Sequence, residues 1–277
     1  MRHALSIDLE EFFQIHALCD VISPESWETF SPSVEQNTKK ILDMLESRGV
    51  IATFFCLGWV ARRHANLIKH IHSLGHEIAC HGYSHHVIYG QNPKSFREDV
   101  EKAKNILEDI IGEEVIGYRA PTYSITKNTL WALDILEELG FQYDSSIFPI
   151  YHDNYGIPDA PRLPHKLPGR SLAEFPISTL KVGRYNLPIS GGGYFRLLPY
   201  PITKMALGFL ERKNEPFIFY IHPWELNPDI QRIPGMSALS RFRTYVGINH
   251  TAARFSHLIT DFTFTTTRQV LVGRGLL

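Results

Sequence analysis

Cysteine is nearly absent from this chain. Cys19, Cys56 and Cys80 are the only three in 277 residues, none has the spacing of a thiolate metal site, and any disulfide scheme leaves one unpaired. A disulfide-held scaffold and a Cys-ligated zinc module are therefore excluded. Cys56 and Cys80 sit in apolar runs and read as small buried hydrophobes of a reducing compartment. No sign of charge dominates either: 28 Lys and Arg against 29 Asp and Glu give a formal net charge of −1, so neither nucleic acid nor an anionic bilayer is expected as main partner. No apolar run approaches the ~18–20 residues of a membrane span. Met1-Arg2-His3 leads at once into Ala4-Leu5-Ser6-Ile7, too short for the apolar core of a secretory leader, which makes a cytoplasmic protein the expectation. Repeats, low-complexity tracts and flexible linkers are missing as well. A single domain over residues 1–277 is the simplest organisation.

What is present is an alternation of short apolar runs with helical patterns, the signature of repeated β-α units and a mainly parallel sheet. Strands are expected at Ala4 to Ile7, Val50 to Leu57, Glu77 to Cys80, Val115 to Tyr118, Phe141 to Tyr143 and Phe217 to Ile221. Helices are expected from Ser33 to Arg48, through Leu67, Ile68, Ile71 and Leu74, from Ser95 to Ile111, from Thr126 to Leu139 and from Ile202 to Arg212. Gly49, Gly75 and Gly140 act as stops. From Pro149 to Pro201 the pattern loosens and Pro and Gly dominate.

The chemistry gathers at the strand ends. Asp8, His81, Arg119, Asp144 and His222 each follow a predicted strand, and in parallel α/β architectures those ends share one rim. His81 and His85 lie four residues apart, so one helical turn would aim both rings at one point. Such a pair is also a common solvated helix face. The acidic run Asp8-Leu9-Glu10-Glu11 offers a carboxylate to complete an open His/His/carboxylate set for a catalytic divalent metal.

Five motifs in order resemble those of the polysaccharide deacetylase family, the NodB-like carbohydrate esterases. They are Ser6-Ile7-Asp8-Leu9-Glu10, His81-Gly82-Tyr83-Ser84-His85, Arg119-Ala120-Pro121-Thr122-Tyr123, Tyr143-Asp144-Ser145-Ser146 and Phe219-Tyr220-Ile221-His222-Pro223. The branch associated with bacterial exopolysaccharide biosynthesis is the most similar. The resemblance implies a distorted (β/α) barrel with a core over about 1–224 and a C-terminal extension over about 225–277. It also implies removal of an N-acetyl group from an amino sugar of a bacterial polysaccharide or its precursor.

By the same resemblance His81 and His85 are metal ligands, Asp8 is the general base, and Arg119 holds Asp8. His222 is the general acid, with Asp144 as its partner. Leu9 interrupts the family's usual adjacent acidic pair, so Glu10 is taken as third ligand, two residues from Asp8 and on the same side of a strand; Glu11 is the alternative. A backbone N–H near Thr122 or Tyr123 is the expected oxyanion donor, and Trp224 is expected to line the cleft. Zinc (Zn) suits the donor set, and Co, Ni, Mn and Fe also fit a mixed nitrogen and oxygen site.

The run Gly191-Gly192-Gly193-Tyr194-Phe195-Arg196 admits two readings, a loop where a sugar approaches the backbone and stacks on the aromatic rings, or a tight turn. It is no phosphate loop, since no Lys-Ser/Thr follows. The expected partner is an N-acetylated saccharide, with a homo-oligomer left open. An amidohydrolase acting on a non-sugar amide and a non-catalytic carbohydrate-binding protein are the competing readings.

Overall fold

The first strand, β1 (His3–Leu9), shows how the sequence builds its site. Side chains alternate across a strand: Leu5, Ile7 and Leu9 enter the main apolar core beneath the helices, whereas Ala4 belongs to a smaller inner core. Ser6 and Asp8, on the side of Ala4, therefore face inward. The computed structural model describes residues 1–277.

Ten strands follow: β2 (Thr53–Cys56), β3 (Glu77–Cys80), β4 (Gly117–Tyr118), β5 (Tyr143–Asp144), β6 (His165–Lys166), β7 (Ala173–Glu174), β8 (Thr179–Val182), β9 (Tyr185–Pro188), β10 (Ile218–Ile221) and β11 (Phe264–Thr265). One sheet runs in the order β10-β1-β2-β3-β4-β5-β7-β6, parallel except for β6 against β7. It curls into a half-barrel, the distorted (β/α) barrel expected. A separate hairpin pairs β8 with β9, in the segment where the sequence pattern loosens.

The parallel crossovers require connecting helices. They are α1 (Val34–Glu46), α2 (Gly58–Arg63), α3 (Ala65–Ser73), α4 (Pro93–Ile111) and α5 (Trp131–Glu138), with α6 (Gly192–Leu197) and α7 (Tyr200–Arg212) before β10. The longest, α4, has clear ends. Asn92 accepts from the Lys94 and Ser95 amides at 3.0 Å, Pro93 opens the first turn, and Gly112 stops the helix in the left-handed conformation. Its stripe of Phe96, Val100, Ala103 and Leu107 is buried.

Beyond β10 come α8 (Ala238–Tyr245), α9 (Thr251–Asp261) and α10 (Thr267–Val272). The residues after 224 are not an appendage: β11 pairs with β1 at His3 and Ala4, inside the main sheet. No helix is long and apolar enough to cross a membrane.

Candidate metal centre and active site

Strand register sets the rim. Leu9 lies opposite Cys56, Cys56 opposite Cys80, and Cys80 opposite Tyr118, while Ile7 is paired with Ile221. All of these side chains face the helix-side core. The next residue along each of three strands, His81, Arg119 and His222, turns inward, as does Glu10. Asp8, Glu10, His81, His85 and His222 line one cavity of about 180 Å³.

Glu10, His81 and His85 are buried, and their ligand atoms lie within 4.8 Å of one another. Glu10 Oε2 stands 2.7 Å from His85 Nε2 and 3.9 Å from His81 Nε2, yet it has no hydrogen-bond partner. A buried carboxylate oxygen left unsatisfied between two imidazole nitrogens fits a cation. His81 Nδ1–H donates to the Arg119 carbonyl at 2.8 Å, which turns the Nε2 lone pair toward Glu10. Burial, reinforced by His85, pulls the His81 pKa down to about 3, so the ring is neutral as a ligand must be. Burial opposes ionisation of Glu10, but His85, His222 and His81 outweigh it and lower its pKa.

Glu11 serves another purpose. Its Oε1 accepts from the Ser33 and Val34 amides at 2.7 and 2.8 Å, and its Oε2 from Ser33 Oγ. These contacts cap the N-terminus of α1, so the alternative ligand faces away from the other two.

The two histidines meet without a helical turn. The His81–His85 segment is a loop, with Gly82 at φ 74° and His85 at φ 54°. Asp99 on α4 fixes it by accepting from the Tyr83 and Ser84 amides at 2.7 and 3.1 Å. The helix expected from the spacing is thus replaced by a turn pinned from a neighbouring helix.

Asp8 Oδ1 accepts from Arg119 Nη1 at 2.6 Å. The guanidinium is fully buried, held by the Ser145 carbonyl and hydroxyl and by Ser6 Oγ, and stacks 4.0 Å from the Phe55 ring. All three guanidinium nitrogens have a partner, so Asp8 is fixed in turn.

His222 does not meet Asp144. Its Nδ1 lies 2.9 Å from Glu225 Oε2, while its Nε2 faces Asp8 Oδ2 at 3.9 Å and Glu10 Oε1 at 3.7 Å. Glu225 also accepts from the His222 amide at 2.9 Å and from Arg196 Nε at 2.6 Å. Arg196 spends its other nitrogens on the carbonyls of Arg243, Thr244 and Val246. Burial alone would lower the His222 pKa, but the Glu225 carboxylate, with Glu10 and Asp8 behind it, carries it up to about 9. Burial likewise opposes ionisation of Glu225, yet His222 and Arg196 bring it down to about 2. Trp224 stacks on the His222 ring, 5.4 Å between centroids at 24°.

Asp144 faces the other side of the sheet. It is the last residue of β5, and its predecessor Tyr143 points into the inner core, so alternation turns Asp144 outward. There it pairs in register with Glu174 of β7 and accepts from Ser146 Oγ at 2.5 Å. Burial and the pairing with Asp144 push Glu174 well up, and burial raises Asp144 to about 6. The residue that reaches the rim is Ser145, the partner of Arg119.

Thr122 and Tyr123 line the cavity and both hold left-handed φ, 56° and 53°, an uncommon conformation for side chains of that size. The Tyr123 amide is committed to Ala120 O at 3.1 Å. Gly191 serves close packing: a Cβ there would stand 2.1 Å from Tyr220 O. Gly192 and Gly193 also border the cavity.

Residues 23–143 match the family described as polysaccharide deacetylase. That segment belongs to the family. Residues 145–272 match a second family, described as a domain of unknown function (DUF3473). A peptidoglycan-N-acetylglucosamine deacetylase of Bacillus cereus is 31% identical over 147 residues, 49% of this chain and 53% of that protein. The chain spans about half the length, or less, of the curated relatives it matches. A crystal structure from Mycobacterium smegmatis assigned to the polysaccharide deacetylases aligns with a TM-score of 0.62 at 20% identity, covering 96% of this chain and 87% of that one. An allantoinase aligns with a TM-score of 0.59 at 16% identity, covering 98% and 88%. At these identities the structural likeness is one of fold.

The site spans the whole match. His81, His85 and Arg119 lie in the deacetylase segment, Ser145, Arg196, His222 and Glu225 in the second, and Asp8 and Glu10 precede both. Glu225 and Asp99 escaped the sequence reading, as did the role of Arg196 as the partner of Glu225. Glu225 carried a local signal, since His-Pro-Trp-Glu opens a Pro-initiated turn that places positions one and four together. Arg196 and Asp99 carried none, because each acts across the fold.

Proposed function

We propose that this chain hydrolyses the N-acetyl group of an amino sugar in a bacterial polysaccharide or its precursor, with a divalent metal held by Glu10, His81 and His85. The observation that carries this reading is the convergence on one small cavity of an open ligand trio, an Arg-held carboxylate and an imidazole held by Glu225. When bound, the metal supplies a Lewis acid that polarises the attacking water and the acetyl carbonyl. Zinc suits one carboxylate and two imidazoles, and Co, Ni, Mn and Fe are compatible with the same donors.

The remaining work falls to the chain. Asp8, its orientation fixed by Arg119, takes a proton from the attacking water. As the acetyl carbon becomes tetrahedral, its oxygen gains charge and the Thr122 N–H is the donor at the rim that meets it. His222 enters as imidazolium, with Nδ1–H on Glu225 and Nε2–H directed to the side of Asp8 and Glu10. Nε2 gives its proton to the amide nitrogen as the C–N bond breaks, leaving acetate and a free amine. Trp224 covers the His222 ring and, with Thr122 and Tyr123, shapes the wall against which the sugar rests. The Bacillus cereus relative, a peptidoglycan-N-acetylglucosamine deacetylase, supports the amino-sugar class.

Acetate release from N-acetylglucosamine oligomers, with and without a chelator, tests the reading. Release that is abolished by chelation and by His81→Ala is the expected result. Release indifferent to both overturns the metal, and release only from a parallel panel of non-sugar amides overturns the sugar.

A further inference from the structure

The β8–β9 hairpin has one covered face and one open face. Asn186 Nδ2 donates to the Pro149 and Pro158 carbonyls at 2.8 and 3.4 Å, so its face lies on the 149–158 loop. Side chains alternate across a strand, and the cross-strand pairs Leu180–Leu187 and Val182–Tyr185 take the other face. Val182, Tyr185 and Leu187 are exposed. Helix α7 packs against β8. Arg162 ties the two, its Nη2 donating to the Thr179 carbonyl of β8 and to Glu215 just after the helix.

On α7, Ile202, Met205 and Phe209 stand three and four residues apart, which makes one stripe of the helix. All three are exposed, Met205 to 66%. The stripe lies on the flank turned away from α9, which Lys204 reaches through Asp261 at 2.8 Å. Hairpin and helix together hold six of the sixteen large apolar side chains that the chain exposes. Such a concentration marks a docking face rather than scatter.

Charge decides what docks there. Lys181, Arg184, Arg212 and Lys213 stand on the same two elements or at their ends, and none has a carboxylate partner, whereas Glu215 is held by Arg162. Lys213 and Arg184 lie over the Phe209 and Tyr185 rings, 4.7 and 4.9 Å from the centroids. The net charge of −1 thus conceals a local excess of cations around apolar side chains, the composition of an element that lies on a bilayer. A second copy of this face would set the cations against one another. A nucleic acid would pair with the cations and leave the apolar stripe in water.

We propose that the face formed by α7 and the β8–β9 hairpin docks on the surface of an anionic phospholipid bilayer. Val182, Met205 and Phe209 enter the acyl boundary, and Lys181, Arg184, Arg212 and Lys213 meet the headgroup phosphates. The docking goes beyond the deacetylase reading and does not rest on it.

Co-sedimentation of the chain with vesicles of phosphatidylglycerol and phosphatidylcholine, against vesicles of phosphatidylcholine alone, tests this. Partitioning is expected to be at least about tenfold stronger on the anionic vesicles and to weaken as salt is added. Met205→Asp and Lys213→Glu, both at exposed positions, are each expected to lower it by about tenfold. Thermal unfolding identifies a variant that has lost its fold, and the other then decides. No sedimentation, sedimentation indifferent to lipid charge, or partitioning unchanged in a folded variant overturns the proposal. Light scattering tests the other occupant: a dimer that Met205→Asp dissociates, with no vesicle binding, assigns the face to a second copy and overturns the bilayer. None of these readouts involves acetate, so failure of the deacetylase reading would leave them intact.

Discussion

His222 and Glu225 are joined at 2.9 Å between Nδ1 and Oε2, three residues apart on one Pro-initiated turn. The imidazole is therefore oriented by its own turn rather than by a strand across the sheet. The carboxylate is in turn held by Arg196, so the ring has little freedom left.

Replacing Glu225 by Gln keeps the shape and removes the charge. The carboxylate holds His222 near 9, so activity that needs the imidazolium persists up to about that pH and falls above it. In Glu225→Gln the alkaline limb of kcat against pH moves to lower pH, and kcat at neutral pH drops by about 10–100-fold with a smaller change in KM. A pH–rate profile checks both. Asp144→Asn leaves the alkaline limb in place.

Glu10 and Glu11 are neighbours with separable duties. Glu10→Gln is expected to lose bound metal, measured by elemental analysis of the purified protein, with the fold retained. Glu11→Ala is expected to keep the metal and lose about 1–2 kcal/mol of stability by uncapping α1, measured by denaturant unfolding.

Asp99 touches no ligand atom, yet it holds the two amides between His81 and His85. Asp99→Ala is expected to weaken metal affinity by about 10–100-fold, as loss of outer support does in other sites. Competition against a chelator of known affinity measures this directly.

The Asp144–Glu174 pair gives stability a pH dependence of definite sign. Both folded pKa values lie above the ordinary carboxylate range, so the folded state holds more protons than the unfolded one. The contribution is complete below about pH 4, the unfolded value, and is lost as pH rises through about 6 for Asp144 and on through the higher Glu174 value. Glu174→Gln removes one of the two charges. Its melting temperature is expected to decline less between pH 5 and pH 8 than that of wild type, by scanning calorimetry.

Much of the fold was legible because its strands are apolar and its helices amphipathic, with stops where Gly49, Gly75 and Gly140 stand. The Asp8–Glu10 relation followed from the two-residue period alone. Asp144 was misplaced by the same rule, since ending the strand one residue early reverses the face of everything at its tip. The His81–His85 spacing was legible but its conformation was not. Left-handed φ at His85 and the grip of Asp99 depend on a helix that begins eight residues beyond His85. The role of Arg196 was invisible for a related reason: its partners are a side chain 29 residues on and carbonyls still further along the chain.

The two family matches meet between residues 143 and 145, beside the serine that seats Arg119. That seam runs beside the candidate site, with Glu10, His81 and His85 on one side of it in the chain and His222 and Glu225 on the other. β10, from the second segment, lies against β1, which precedes the first. The candidate site is therefore assembled from both matched segments rather than housed in either one. A cut in the chain between residues 143 and 145 would divide one constellation of side chains, not separate two.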